Sequence, residues 1–192
     1  MACTVYWTYG WVKRDAGGTC LSSRKEPLMS HTTAPAVISS IASPADADAF
    51  RELNEEWISR LFTLVQEDRA VLADPFGRIL ARGGDVLVAR ETAEGPVLGC
   101  IALLAHPGAV FEVAKMAVAP GAQGRGLGRR LLTAAIERSR TLGATRMFLG
   151  TNSKLGPAVH LYEQAGFVRI TRDRLPVADY YARADILMEL GL

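Results

Sequence analysis

From residue 36 onward, the spacing of apolar positions divides the chain into strand-like and helix-like stretches. Val37–Ile41 reads as a short strand. Ser43 and Pro44 then open a helix, since a serine hydroxyl can accept from a first-turn N–H and proline suits the first helical position. Phe50, Leu53, Trp57, Leu61 and Leu64 recur three and four residues apart, as on one face of an amphipathic helix. A second, shorter helix is predicted over Asp68–Ala73. Gly83-Gly84 marks a turn, and Asp85–Arg90 and Val97–Ala105 read as a hairpin joined around Glu94-Gly95. Val110–Ala119 is a further strand, stopped by Pro120-Gly121. Gly126–Leu142 reads as a helix with Leu127, Leu131, Ala135 and Leu142 on one face and Gly143 as its stop. Arg146–Thr151 is a strand, Pro157–Gln164 a helix ended by Gly166, and Phe167–Arg172 and Ala184–Leu190 close the sheet. The order is strand, two helices, three strands, helix, strand, helix, two strands, which makes an α/β (α+β) chain without internal repeats.

Residues 1–34 follow no such pattern. Trp7, Trp11, Gly17, Gly18, Ser22 and Ser23 recur with no period, so this stretch is read as a disordered N-terminal extension. Met29 offers an internal start. The folded domain is placed at residues 35–192.

Composition narrows the classes of function. A 192-residue chain, 49% apolar, can bury a core as one domain. Its net charge of +2 gives no ground for nucleic acid or a membrane surface as partner. No apolar run approaches the roughly 20 residues that span a bilayer, and no secretory leader pattern is visible. Cys3, Cys20 and Cys100 are odd in number and lack metal-site spacing, so no metal is expected. Cys100 falls in an apolar strand, where a free thiol acts as a small hydrophobe. A reducing, cytoplasmic setting is expected.

The most informative stretch is Met116–Arg130, MAVAPGAQGRGLGRR. A strand enters a glycine-rich turn that passes directly into a helix. Gly124, Gly126 and Gly128 remove side chains where something must approach the backbone. The helix start offers N–H groups without intrahelical partners and the positive end of the helix dipole. Together they make an anion site suited to phosphate, to which Arg125, Arg129 and Arg130 add positive charge. A P-loop is excluded because no Gly-Lys-Ser/Thr follows. A dinucleotide fingerprint is excluded because Arg129 stands where its third glycine would fall, and no carboxylate stands near Arg146.

Gln123-Gly124-Arg125-Gly126-Leu127-Gly128 resembles the Q/R-x-x-G-x-G/A motif of GNAT acetyltransferases. Met116-Ala117-Val118 before it, and Leu131-Leu132 after it, resemble the family as well. Further on, Thr151-Asn152-Ser153, Ala158–Glu163 and Gly166-Phe167 are similar to the second CoA-contacting segment and its tyrosine. The likeness covers residues 36–190. It implies a mixed central sheet of six to seven strands flanked by about four helices, with two adjacent parallel strands splayed apart near Val118 and Thr151. It also implies acetyl-CoA as co-substrate: Gln123 and Gly124 to Arg129 around the pyrophosphate, Met116, Ala117 and Val118 pairing with the pantetheine arm, and Asn152 near the splay. GNAT proteins are often homodimers, although nothing in this sequence signals one.

Acetyl transfer requires a neutral amine, a stabilised oxyanion and a proton for the departing thiolate. Tyr162 is the candidate acid, its alternative being a tyrosine packed between helix and sheet. Glu112 is the candidate base, on a central strand where a carboxylate must be used or paired; a salt bridge is the equal alternative. Strand alternation puts Glu112, Ala114, Met116 and Val118 on one face, with Val113, Lys115 and Ala117 on the other. The acceptor, a primary amine of a small molecule or peptide, is expected at the first helix, where Asn54, Glu55, Glu56 and Trp57 form either an acidic-aromatic receptor or a solvated helix face. Tyr180, Tyr181 and Arg183 either edge that cleft or simply pack. His31, His106 and His160 read as surface residues. Gly150 stands where relatives of one bacterial subgroup often carry a carboxylate, which shifts the weight of proton removal to Glu112 and water. Two other readings stay open: an acetyl-CoA-sensing module without turnover, and transfer of a different acyl group.

Overall fold

The structure, a computed structural model, describes residues 36–178 and 180–192. The extension assigned to residues 1–34, together with Cys3, Cys20 and His31, lies outside the described residues. Among the described residues seven strands form one sheet: β1 (Val37–Ser40), β2 (Asp85–Arg90), β3 (Gly99–His106), β4 (Val110–Val118), β5 (Arg146–Thr151), β6 (Val168–Ile170) and β7 (Ile186–Gly191), in the order β1-β2-β3-β4-β5-β7-β6. Among the described residues only the pairing of β4 with β5 is parallel, and the others are antiparallel.

The helices are α1 (Pro44–Leu61), α2 (Gln66–Ala73), α3 (Pro75–Arg78), α4 (Leu127–Thr141) and α5 (Gly156–Gln164). Ser43 caps α1 in a reciprocal box with Asp46, and Pro44 takes the first turn, so the start read from sequence is where the helix begins. Unforeseen was α3, a single turn in which the Asp74 side chain accepts from the Gly77 N–H at 2.8 Å.

Strand alternation divides the core. Val86, Val88, Cys100 and Ala102 pack toward Phe50 and Ile58 of α1 and Leu72 of α2. Leu87, Ala89, Ile101 and Leu103 face Leu131, Leu132 and Ala135 of α4, with Tyr162 of α5 in the same cluster. Buried Asp85 ties the second layer down, accepting from Arg138 of α4 and Ser40 of β1, each at 2.7 Å.

β4 departs from the simple alternation expected of it. Its register against β3 runs Ala102↔Ala114 and then Cys100↔Ala117, so one extra residue is inserted. Lys115 sits at that bulge with φ of +50°, in the left-handed region. The insertion reverses the faces beyond it. Met116 and Val118 join Val113 on the α4 side, and Ala117 joins the α1 side. Glu112 and Met116 therefore do not share a face.

Candidate active site

The parallel ladder between β4 and β5 is short. It runs Val110↔Arg146, Phe111↔Met147 and Glu112↔Phe148, and then stops although both strands continue. Beyond Glu112 the strands part, and among the described residues the β5-facing edge of β4 has no strand partner. A cleft of about 450 Å³ opens there. Met116 and Val118 of β4, Asn152 after β5, Tyr162 of α5 and Trp57 of α1 are among its walls.

The glycine loop lies beside this wedge. Gly124 and Gly126 both have φ of +75°, a conformation that favours glycine, and a Cβ on either would meet nothing within 4 Å. Gly126 caps α4 without a side-chain bond. The backbone N–H groups from Gly124 to Arg129 have no backbone acceptor among the described residues. This cradle of unpaired donors at the positive end of a 15-residue helix is what a phosphate requires. Gln123 folds the loop back by donating to the Val118 carbonyl at 2.9 Å. Leu127 buries its side chain in the core, so only its backbone faces the loop. Gly128 is half-buried, and a Cβ there would lie 3.2 Å from Met116 Cε. Arg125 and Arg129 are exposed, bonded to Glu91 and Gln164. Arg130 instead donates to the Ala36 carbonyl, a structural tie to β1 rather than free charge at the loop.

Tyr162 is buried, and its hydroxyl points at Met116 Sδ, 3.8 Å away, inside the wedge. Burial pushes its phenol up to about 12, so it stays protonated at neutral pH. Asn152 lines the cleft with both ends of its amide engaged, donating to the Arg183 carbonyl at 2.7 Å and accepting from the Lys154 N–H at 3.0 Å. Glu112 is buried at the point where the strands part. Tyr180 donates to its Oε1 at 2.8 Å, and His106 Nε2 lies 3.1 Å from Oε2. Glu112 borders both the wedge and a second cleft, which carries His106 in its wall. His106 is thus a half-buried partner of Glu112 and not a surface residue; His160 is exposed and bonded to Gln164.

The acceptor side differs from the sequence reading. Asn54 is wholly buried, donates to the Phe50 carbonyl and Cys100 Sγ, and accepts from Trp57 Nε1, so it serves the core. Glu55 does not border the cleft. Glu56 does, but it is paired with Arg60. The inner wall carries cations instead: Lys115 and Arg183 share the buried carboxylate of Asp68. Burial would raise the Asp68 acid, yet bonds from Arg183 and Lys115 outweigh it and hold it at about 2. The rings of Tyr181 and Phe62 flank the Arg183 guanidinium, at 4.9 and 5.8 Å. Asp68 and Lys115 escaped the sequence reading because neither lies in a motif.

Comparison with known proteins agrees with this geometry. Residues 47–167 match the Acetyltransferase (GNAT) family. The chain belongs to the GNAT family of acetyltransferases. An uncharacterized N-acetyltransferase of Schizosaccharomyces pombe is 34% identical over 137 residues, 68% of this chain and 81% of that protein. A mycothiol acetyltransferase of Pseudarthrobacter chlorophenolicus is 41% identical over 102 residues, but these are 52% of this chain and only 30% of that longer relative. Among solved structures, yncA of Salmonella typhimurium, determined with its cofactor acetyl-CoA, is 25% identical with a TM-score of 0.62, the likeness covering 82% of this chain and 94% of yncA. The parted β4–β5 pair and the glycine loop of this GNAT transferase both lie within the matched region.

Proposed function

We propose that this GNAT protein is an N-acetyltransferase that moves the acetyl group of acetyl-CoA to a primary amine by direct transfer in a ternary complex. The observation that carries the reading is the convergence, at one wedge, of an unpaired strand edge, a cradle of free N–H groups, a protonated phenol and a buried carboxylate. Acetyl-CoA supplies an activated thioester and a thiol leaving group. The residues present fit it. The N–H groups from Gly124 to Arg129 receive the pyrophosphate, with Arg125 and Arg129 as outer charges. The free edge of β4 across Met116, Ala117 and Val118 receives the pantetheine arm as a neighbouring strand would, and Asn152 lines the opposite wall.

Glu112 removes the proton that the amine loses, directly or through water, so that nitrogen attacks with its lone pair. A backbone N–H near Ala117 or Val118 donates to the carbonyl oxygen as it gains charge. Tyr162 delivers its proton to the departing sulfur. A covalent route through Cys100 is disfavoured: its thiol is wholly buried, outside the cleft, and pushed up by burial to about 12. The acceptor is a small molecule or peptide that presents its amine beside Trp57 and Phe62. A cytoplasmic setting suits the free Cys100 thiol.

The test is calorimetric titration of acetyl-CoA and CoA into the wild type and Gly126→Glu, followed by an acceptor panel of amino acids, polyamines, aminoglycosides and short peptides. Micromolar binding lost in the variant, with turnover of at least one amine, supports the proposal. Absence of binding to the wild type defeats it.

A further inference from the structure

We propose that Tyr180 and His106 are positioning residues that clamp Glu112 from two sides, and that residue 150 is glycine because the Tyr180 ring occupies the space its side chain would fill. The inference rests on the proposed role of Glu112 as base and extends it to residues outside the family motifs.

A carboxylate buried between two clefts needs donors on both oxygens, or its desolvation is uncompensated. Glu112 has them. The Tyr180 hydroxyl donates to Oε1 at 2.8 Å, and His106 meets Oε2 at 3.1 Å. An ionised carboxylate only accepts, which assigns the shared hydrogen to His106 Nε2. Each oxygen keeps a further lone pair, so the clamp leaves basic capacity toward the wedge. The donors come from separate parts of the fold: His106 ends β3, and Tyr180 precedes β7. Both rings lean on Phe148, the strand partner of Glu112, at centroid distances of 5.2 and 5.9 Å. Lys115 is the other charged group bordering both clefts, and its ammonium is held by Asp68 at 2.8 Å.

Tyr180 lies in a stretch without regular structure, so its seat must come from neighbours. Arg172 donates to its carbonyl at 3.3 Å, and the Tyr181 ring meets it edge-on at 5.6 Å. The decisive contact is with β5. A Cβ built on Gly150 would fall 2.1 Å from Tyr180 Cε1 and 2.8 Å from its hydroxyl oxygen. Any side chain at 150 therefore expels Tyr180 from its bond to Glu112. The site lacks a carboxylate on β5 because that volume holds the aromatic clamp of the carboxylate on β4.

The experiment compares Tyr180→Phe, His106→Gln, Gly150→Ala, Tyr180→Ala, the Gly150→Ala/Tyr180→Ala pair and Glu112→Gln. Acetyl-CoA is the donor, the acceptor is the amine turned over fastest in the panel above, and acetyl-CoA titration checks that each variant is folded. Tyr180→Phe is expected to lower kcat about tenfold, within the loss that a misplaced catalytic group produces, with acetyl-CoA affinity unchanged. Its KM for the amine is expected to stay near the wild-type value, so that the loss falls on kcat. His106→Gln retains an N–H donor and is expected to keep more activity than Tyr180→Phe. Gly150→Ala should match Tyr180→Phe, yet cost nothing further in the Tyr180→Ala background, where the ring is gone. Wild-type kcat in Tyr180→Phe and Gly150→Ala overturns the inference, as does an equal loss from Gly150→Ala in both backgrounds. Full activity of Glu112→Gln, or no turnover of any amine, removes the base assignment and the inference with it. Inactive Glu112→Gln beside unaffected Tyr180→Phe removes the clamp alone.

Discussion

The Arg183 guanidinium meets the Asp68 carboxylate in a two-pronged bond, each N–O distance 2.7 Å, linking the segment before β7 to the first turn of α2. Lys115 reaches the same carboxylate from the β4 bulge. One buried acid thus joins three pieces of chain around the cleft. Replacing Asp68 by Asn leaves two cations facing each other without a counter-charge. The depression of its acid from 3.8 to about 2 converts to a contribution of about 2 kcal/mol. Because the folded value is the lower one, this stability is present in full above about pH 4 and disappears as pH falls through about 2. Urea unfolding at pH 7 should show Asp68→Asn less stable by about 2 kcal/mol or more, with the gap narrowing below pH 4.

Tyr162→Phe keeps the ring in the α5–sheet interface and removes only the proton donor. We expect kcat to fall roughly tenfold to a hundredfold while acetyl-CoA titrates as in the wild type. A phenol held near 12 by burial should produce no alkaline loss of rate between pH 8 and 10. An unchanged kcat in the variant would return this tyrosine to a packing role.

Arg125 and Arg129 stand exposed beside the loop, so their attraction for a polyanion passes through solvent. Arg125→Ala and Arg129→Ala should each weaken acetyl-CoA binding about threefold at low salt, as expected of about 0.6 kcal/mol at a surface site. Titration in 0.5 M salt should erase most of that difference.

Cys100→Ala should turn over at the wild-type rate, and no acetylated Cys100 should appear by mass spectrometry after incubation with acetyl-CoA. The loss of a small buried side chain is expected to cost about 1 kcal/mol of stability. A dead but folded Cys100→Ala would contradict direct transfer.

Periodicity and caps carried most of the fold. Ser43-Pro44 fixed the start of α1, and the apolar spacing of Leu131 and Ala135 identified the buried face of α4. The motif from Gln123 to Gly128 was legible because its glycines serve backbone geometry, which is local. What escaped depends on distant parts of the chain. The bulge at Lys115 leaves no mark in a strand of ordinary composition, since it is fixed by an ammonium bound to Asp68, 47 positions earlier. Asn54 was read as part of a receptor or of a solvated face because polar side chains on a helix are usually exposed; the Cys100 thiol it meets in the core comes from 46 positions further along the chain. Gly150 stood out as a missing side chain, but the ring that replaces it arrives from position 180.

The bulge in β4 acts as a phase shifter. Upstream, the strand presents its odd-numbered residues Phe111 and Val113 to the α4 layer; downstream, it presents the even-numbered Met116 and Val118. The strand therefore has two alternation frames, and the switch between them lies at the mouth of the wedge. Flattening the bulge into regular pairing, with no residue removed, would hold the first frame through to the loop. Val118 would turn toward α1, Ala117 toward the glycine-loop helix, and the contact between Tyr162 and Met116 would be lost while every residue type at the site remained in the sequence.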